Sequence, residues 1–204
     1  MLSPIKNVVF DVGNVLVRWA PEEIVRLTFG NDVDVQVKAK AIFGHELWLA
    51  LNRGEFTEED VKKQYQIELG LSEDELDTLF FYVKESLIPI YGSLALLRAL
   101  KSQGYKVYAL TDNVHEIVTF LKQRYEFWHE FDGAIVSAEV GCLKPGKEIY
   151  HHLLAQYDLN PEQTVFLDDM LPNVEGAQQV GIHGIQFLNA QQATQALNKL
   201  GVTV

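Results

Sequence analysis

The chain has 204 residues with 17 basic and 28 acidic side chains, so its formal net charge is −11, and 48% of its residues are hydrophobic. This length suits one domain, or one domain with a smaller insertion, and the hydrophobic fraction excludes wholesale disorder. An acidic chain without a basic face is not typical of nucleic-acid binders, so we expect no nucleic-acid partner.

Short β-branched runs that alternate with helical patterns predict the fold class. The predicted strands are 5–10, 106–110, 133–136, 164–167 and 184–188. The helical patterns between and after them cover 93–103, 114–124, 147–157, 173–180 and 191–200. Alternation of this kind predicts an α/β fold with a Rossmann-like parallel sheet and helices on both faces.

The segment 18–88 breaks this alternation because it contains no convincing strand. It offers helical patterns at 21–29, 34–52, 57–69 and 72–87. Thr57 and Ser72 are each followed by acidic residues, which is typical of a helix start. We therefore expect a core formed by 1–17 and 89–204, with 18–88 inserted as a small α-helical cap.

The N-terminal sequence and the cysteine content indicate the cellular compartment. The apolar run near the N-terminus reaches Asp11 within a few residues, which fits neither a signal peptide nor a membrane span. Cys142 is the single cysteine, so no internal disulfide can form. We expect a cytoplasmic protein without a membrane partner. The sequence gives no indication of the oligomeric state.

Polar side chains stand at the carboxyl ends of three predicted strands. They are Asp11, Thr111 and the pair Asp168 and Asp169. Ligands of open parallel α/β sheets bind outside these strand ends, so the fold brings together residues that are distant in sequence. A carboxylate here can act as a nucleophile or a metal ligand, and adjacent carboxylates favour a hard cation such as Mg²⁺.

Each of these residues also has a simpler structural interpretation. Asp11 fits a turn aspartate, and one of Asp168 and Asp169 fits a helix cap, although a cap needs only one acid. Lys144, in a Lys-Pro-Gly turn, fits a solvated surface lysine. Thr111 and Asn113 fit ordinary turn formers. These alternatives stay open at the level of single residues.

Taken together and in order, the motifs resemble those of the haloacid dehalogenase (HAD) superfamily, whose members are mostly phosphatases. The resemblance extends from residue 5 to about 190, and the helical insertion is similar to the cap of its first subclass. The closest branch includes bacterial α-D-glucose-1-phosphate phosphatases and the phosphatase domain of soluble epoxide hydrolases. The four matching motifs are 8–16, 108–113, Lys144-Pro145 and 165–169 with Asn173, Gly176 and Ala177.

The resemblance implies a role for each site residue. Asp11 would attack phosphorus and form an aspartyl-phosphate. Mg²⁺ would be held by Asp11, the Gly13 carbonyl and Asp169, with Asp168 as a direct or water-bridged ligand. The Thr111 hydroxyl and the Lys144 ammonium would hold the phosphate of a small phosphate ester. The same resemblance makes further residues candidates for phosphate binding: Gly13, Asn14, Asp112 and Asn113.

One position departs from the superfamily pattern. Most of its phosphatases carry a second aspartate, the general acid and base, where this chain has Gly13. A sugar 1-phosphate has a better leaving group than an alkyl phosphate and so needs an acid less, which is consistent with the branch that the motifs resemble. We expect a sugar phosphate such as a hexose 1-phosphate. Asn14, His115 or a cap residue are candidates for the missing acid. Two alternatives stay open, namely a phospho-ligand binder with little or no turnover and a metal-free 2-haloacid dehalogenase.

The remaining aromatic and basic residues near the cap receive structural assignments. We expect Trp19, Phe43 and Trp48 to form the core of the cap rather than a platform for a sugar. We expect Arg18 and Arg53 to lie on solvated faces. His115 is expected on the exposed side of its helix.

Overall fold

A parallel five-stranded sheet forms the centre of residues 4–204, the part of the chain that this computed structural model describes. Its strands are β1 (Asn7–Phe10), β2 (Lys106–Thr111), β3 (Gly133–Val136), β4 (Thr164–Asp168) and β5 (His183–Gln186). They lie in the order β3-β2-β1-β4-β5, and every pair is parallel. The predicted α/β class and all of the predicted strands are confirmed.

Helices cover both faces of this sheet. Successive side chains of a strand point to opposite faces, and apolar side chains on both faces need to be covered. The core helices are α6 (Ser93–Ser102), α7 (His115–Arg124), α8 (Ser137–Val140), α9 (Lys147–Gln156), α10 (Leu171–Gln178) and α11 (Ala190–Lys199). On one face, Val9 and Phe166 pack in a cluster with Tyr150 of α9 and Ala177 of α10. On the other face, Val8 and Phe10 belong to the larger cluster, which includes residues of α6, α7 and α11.

Helices alone fill the segment between β1 and α6. They are α1 (Pro21–Phe29), α2 (Val35–Phe43), α3 (Glu46–Asn52), α4 (Glu58–Leu69) and α5 (Glu73–Glu85). Thr57 and Ser72 begin α4 and α5 with the expected capping boxes. The chain enters and leaves this segment through two paired linkers, since Arg18 N–H donates to the Ile88 carbonyl at 2.9 Å. We call α1–α5, together with Arg18 and Trp19 just before α1, the cap; its treatment as a separate domain over 18–88 stays a prediction.

The single helix predicted over 34–52 is wrong, because the structure divides it into α2 and α3. Gly44 ends α2, and a Cβ at this residue would stand 2.6 Å from the Lys40 carbonyl oxygen. His45 then caps α3, with its Nδ1 accepting from Leu47 N–H at 3.2 Å. Two helix ends therefore meet where the apolar periodicity alone suggested continuity.

Contacts from α3 and α4 hold the cap against the core. The Ser137 hydroxyl, fully buried at the start of α8, donates to the Asn52 carbonyl at 2.6 Å. The Glu116 carboxylate of α7 accepts from Glu58 N–H, the first residue of α4, at 3.0 Å. Within residues 4–204, no helix has the length and apolar character that a membrane crossing needs.

Candidate active site

The register of the sheet brings three carboxylates to one point. Phe10 of β1 is paired with Leu167 of β4, so Asp11 and Asp168 follow their strands at the same level. Asp11 N–H donates to the Leu167 carbonyl at 2.9 Å and continues this pairing. Asp169 comes directly after β4, and each of the three carboxylates offers an oxygen within 4.8 Å of the others.

Lys144 joins this group as a buried cation. Its Nζ lies 2.9 Å from Asp11 Oδ1 and 2.8 Å from Asp168 Oδ2, and only 2% of its side chain is exposed. The loop that carries it is held by Asp112, whose Oδ1 accepts from Lys144 N–H at 3.1 Å. Lys144 is thus an internal partner of two carboxylates, and the simpler interpretation as a solvated turn lysine is wrong.

Two asparagines donate hydrogen bonds to Asp168 and Asp169. Asn173, in the first turn of α10, donates through Nδ2 to both oxygens of the fully buried Asp168 at 3.1 Å. Asn14 donates through Nδ2 to Asp169 Oδ2 at 3.2 Å, and its Oδ1 accepts from Trp19 N–H at 2.9 Å. Asn14 has a φ of 53°, in the left-handed region that asparagine tolerates better than most residues.

Burial and mutual charge govern the titration of these groups. Burial raises the pKa of Asp11, Lys144 lowers it, and the neighbouring charge of Asp168 raises it again, with a net upward shift. Burial also raises the pKa of Asp112 and of Asp169. For Lys144, burial favours the neutral form, but the attraction of Asp11 and Asp168 outweighs it and raises the pKa.

The donor set fits a hard divalent cation. Three carboxylates against one ammonium leave a formal excess of two negative charges in a largely buried place, which a divalent ion offsets. Carboxylate oxygens are the ligands that Mg²⁺ prefers. Lys144 and Val12 N–H both contact Oδ1 of Asp11, and no hydrogen bond from residues 4–204 reaches its Oδ2. Oδ2 is therefore the oxygen that remains for a ligand or for bond formation.

A cavity of about 460 Å³ opens above these groups and separates two unlike surfaces. Polar residues from the strand ends line one side: Asp11, Gly13, Asn14, Asp112, Asn113, Lys144, Asp169 and Asn173. The cap lines the other side with Trp19, Phe43, Trp48, Leu49 and Asn52. Apolar residues of the core and of the linkers complete the lining: Val17, Leu87, Ile117, Leu143 and Met170.

The structure collects most of the residues that the sequence singled out. Asp11, Gly13, Asn14, Asp112, Asn113, Lys144 and Asp169 line the cavity, and Asp168 lies directly behind it. Thr111 ends β2 with 1% of its surface exposed and is not among the residues lining the cavity in the described part of the chain. Its contact with phosphate, like the other assigned roles, stays a prediction.

Two contacts escaped the sequence analysis. Trp19, Phe43 and Trp48 do pack together as expected, with Trp19 and Trp48 stacked at 5.8 Å, but they also face the cavity. The Ser137 hydroxyl accepts from Asn113 N–H at 2.8 Å while it donates to the Asn52 carbonyl, so it connects a strand-end loop to the cap. No motif marks a lone serine of this kind.

The basic and histidine candidates lie outside the cavity lining. His115 is exposed, as expected. Arg18 pairs with Glu23 at 2.8 Å, and Arg53 pairs with Glu46 and Glu55. None of these three side chains is among the residues that line the cavity within 4–204.

Comparison with known proteins identifies a family that this chain matches. The model of the haloacid dehalogenase-like hydrolases matches residues 5–181. The sesquiterpene phosphatase astK of Aspergillus oryzae is 33% identical over 203 residues, which cover 98% of each chain. The flavin mononucleotide hydrolase 1 of Arabidopsis thaliana is 24% identical over 196 residues, covering 96% of this chain and 77% of the relative.

A solved structure shows the same fold. A HAD family enzyme from Bacteroides thetaiotaomicron, in complex with magnesium and inorganic phosphate, superimposes with a TM-score of 0.73. The alignment covers 89% of this chain and 93% of that enzyme at 23% identity. The resemblance deduced from the motifs therefore has independent support from the family model and from the fold.

Proposed function

The chain belongs to the haloacid dehalogenase-like hydrolases, and from this premise we propose that it is a Mg²⁺-dependent phosphatase that hydrolyses a small phosphate monoester through an aspartyl-phosphate on Asp11. The observation that carries the proposal is the convergence of Asp11, Asp168 and Asp169 at one end of the sheet, with Lys144 among them. The phosphatase named among the relatives and the magnesium and phosphate in the Bacteroides enzyme support it.

Mg²⁺ would be held by Asp11, Asp169 and the Gly13 carbonyl, with Asp168 held behind them by Lys144 and Asn173. The bound ion would screen the repulsion between carboxylate and phosphoryl group and stabilise charge on the phosphoryl oxygens. Asp168 already accepts from Met170 N–H and from both side chains, so a water-bridged contact suits it better than a direct one.

The Asp11 carboxylate forms a bond to phosphorus while the bond from phosphorus to the ester oxygen breaks. The alcohol departs with a proton, and a water molecule then hydrolyses the aspartyl-phosphate, so that ester and water become alcohol and inorganic phosphate. Lys144 lowers the pKa of Asp11, which favours the carboxylate form, and adds positive charge next to the transferred group. N–H groups after Asp11 and after Thr111 are the candidates for holding phosphate oxygens.

The source of the proton for the leaving alcohol is constrained by the structure. Gly13 supplies no acid, the Asn14 amide is engaged with Asp169 and Trp19, and His115 is exposed outside the cavity. Asp112 is a carboxyl of the cavity lining outside the Asp11, Asp168 and Asp169 cluster, and burial raises its pKa. Among the residues described, we propose this carboxyl, or solvent, as the proton donor to the leaving alcohol.

The sugar phosphate expected from the sequence is the finer part of the proposal. The relatives differ in what their names specify, since one is a sesquiterpene phosphatase and another a flavin mononucleotide hydrolase. These names support phosphate-ester hydrolysis and leave the alcohol open. A hexose 1-phosphate therefore belongs in the first substrate panel rather than in the conclusion.

The test is phosphate release from a panel of monoesters, with Mg²⁺ and with excess chelator, for the native chain and for Asp11→Asn. We expect release that needs Mg²⁺, and a loss on the order of 10⁴-fold or more in Asp11→Asn because a carboxamide is no nucleophile. The control is Asp74→Asn, an exposed aspartate in the first turn of α5, which should retain full activity. Circular dichroism verifies that each variant is folded.

Two results would replace the phosphatase by the alternatives. Full activity of Asp11→Asn, or full activity under chelation, would contradict the mechanism. Halide release from 2-haloacids in the presence of chelator would indicate a dehalogenase. Calorimetric binding of a phosphate ester without any phosphate release over hours would indicate a phospho-ligand binder.

A further inference from the structure

The cap side of the cavity is made largely of apolar and aromatic side chains. Trp19, Phe43 and Trp48 form what we call the aromatic wall. Trp19 and Trp48 stack at 5.8 Å and 14° between planes, and Phe43 meets Trp19 and Trp48 edge-on at 5.2 and 5.0 Å. All three rings line the cavity that Asp11, Lys144 and Asp169 line from below.

We propose that the alcohol carried by the phosphate is apolar and lies along the aromatic wall. This inference rests on the proposed function and specifies the substrate class of the same site. The phosphate would be held at the strand ends, and the alcohol would extend from there towards the cap.

The cap offers little to replace the water around a polyhydroxylated ligand. Asn52 is the polar cap residue in the lining described for residues 4–204, and its Nδ2 already donates to the Trp48 carbonyl at 2.7 Å. The cap arginines Arg18 and Arg53 pair with glutamates outside the cavity. Hydroxyls that lose water without gaining partners raise the free energy of the complex, so this surface disfavours a hexose.

Two apolar residues of the cavity lining are also partly exposed to solvent. Leu49 on α3 and Met170 before α10 both line the cavity and are 38% and 54% exposed. One belongs to the cap and the other to the core. Both therefore offer apolar surface to a ligand where the lining is also accessible to solvent.

The cavity size sets the scale of the ligand. Its volume of about 460 Å³ lies within the range of roughly 300–1,000 Å³ that is typical of pockets for drug-sized ligands. Burial of one methylene group is worth about a fourfold gain in affinity. Each added methylene should therefore raise kcat/KM by up to about fourfold until the cavity is filled.

The experiment compares methyl, butyl and octyl phosphate with hexose 1-phosphate and p-nitrophenyl phosphate, all below micelle-forming concentrations. We expect kcat/KM to rise steeply along the alkyl series and to be lower for the hexose ester than for octyl phosphate. A flat series together with a superior hexose ester would overturn the inference and leave the phosphatase standing. Absence of Mg²⁺-dependent release from every ester would instead contradict the proposed function.

A binding measurement decides the apolar question even without turnover. Trp19 and Trp48 lie in the wall, so octyl phosphate bound to the Asp11→Asn variant should change tryptophan emission in the presence of Mg²⁺. Inorganic phosphate and hexose 1-phosphate are the comparison ligands. Equal affinity for octyl phosphate and inorganic phosphate would overturn the inference.

Wall variants complete the test. Phe43→Ala and Leu49→Asn should flatten the alkyl series, because each removes apolar surface from the cavity lining. Leu49 is partly exposed, so its variant should fold even if Phe43→Ala proves unstable. The matched control is Phe81→Ala, a 57% exposed phenylalanine of α5 outside the lining, which should keep the slope of the series. The same loss of slope in all three variants would overturn the inference.

Discussion

The two sides of the cavity are built by different principles. The strand-end side is polar, and its groups come from β1, β2 and β4 and from the loop before α9, held by ion pairs of 2.8–2.9 Å. The cap side is apolar, and most of its side chains come from the end of α2 and from α3, held by ring contacts. A change on the first side should alter the reaction itself, whereas a change on the second should alter which alcohol is accepted.

The largest effect should come from removing the buried cation of the strand-end side. Lys144→Met leaves Asp11 and Asp168 buried without their partner, and loss of one member of a buried ion pair typically costs about 3–5 kcal/mol. We expect a large fall in the melting temperature, partly restored by Mg²⁺, and a loss of kcat. Lys147→Met, an exposed lysine that begins α9, is the control. Equal stability of the two variants would mean that Lys144 does not hold the site together.

The strand-end side was predictable from sequence for a physical reason. Parallel strands end on one edge of a sheet, so Asp11, Thr111 and Asp168 had to meet once the strands were recognised. The elements themselves followed from short β-branched runs and from capping residues such as Thr57 and Ser72. Local chemistry and a fixed topology were sufficient for the strand-end carboxylates, whereas the place of Lys144 between Asp11 and Asp168 was implied only by the family resemblance.

The cap side was not predictable in the same way. The apolar periodicity of the sequence indicates that Phe43 and Trp48 are buried. It does not distinguish a ring that only packs inside the cap from a ring that also lines a cavity, because both give the same spacing of apolar residues. The break at Gly44 and His45 depends on one close contact and one side-chain cap, which the periodicity hides. The bond from Ser137 to Asn52 joins residues 85 positions apart without a motif.

A smaller effect should come from the close approach between the two sides. Gly54, just after α3, has a φ of 72°, and a Cβ there would lie 2.2 Å from the Ala138 carbonyl oxygen. Gly70 has a φ of 65° with nothing within 4 Å of such a Cβ, so Gly70→Ala measures the backbone strain alone. Overpacking typically costs about 1–3 kcal/mol. We therefore expect Gly54→Ala to lose this much more folding stability than Gly70→Ala.

The same pair of variants reports on the cavity. Gly54→Ala should displace α3 from the core and raise KM for the preferred ester, because α3 carries Trp48 and Leu49. Gly70→Ala should leave KM unchanged. Thermal unfolding and steady-state kinetics measure both quantities, and identical behaviour of the two variants would show that the contact with Ala138 does not position the cap.

The smallest of these effects concerns Asn14, which is bonded to both sides of the cavity. Its amide donates to Asp169 and accepts from the backbone of Trp19. Asn14→Gly tolerates the φ of 53° but loses both bonds. Loss of a hydrogen bond to a metal-binding carboxylate typically weakens metal affinity at least about tenfold, so we expect a tenfold weaker calorimetric Kd for Mg²⁺.

The control for this variant is Asn113→Ala, because Asn113 lines the same cavity but its Oδ1 accepts from Val114 N–H and it does not hold Asp169, the proposed metal ligand. It should bind Mg²⁺ as the native chain does. Since Asn14 also holds Trp19, Asn14→Gly should flatten the alkyl series at saturating Mg²⁺ as well. If Asn14→Gly binds Mg²⁺ more weakly but keeps the rise of kcat/KM along the alkyl series, the polar and apolar sides of the cavity act independently. If it loses both Mg²⁺ affinity and this rise, Asn14 couples the metal site to the choice of alcohol.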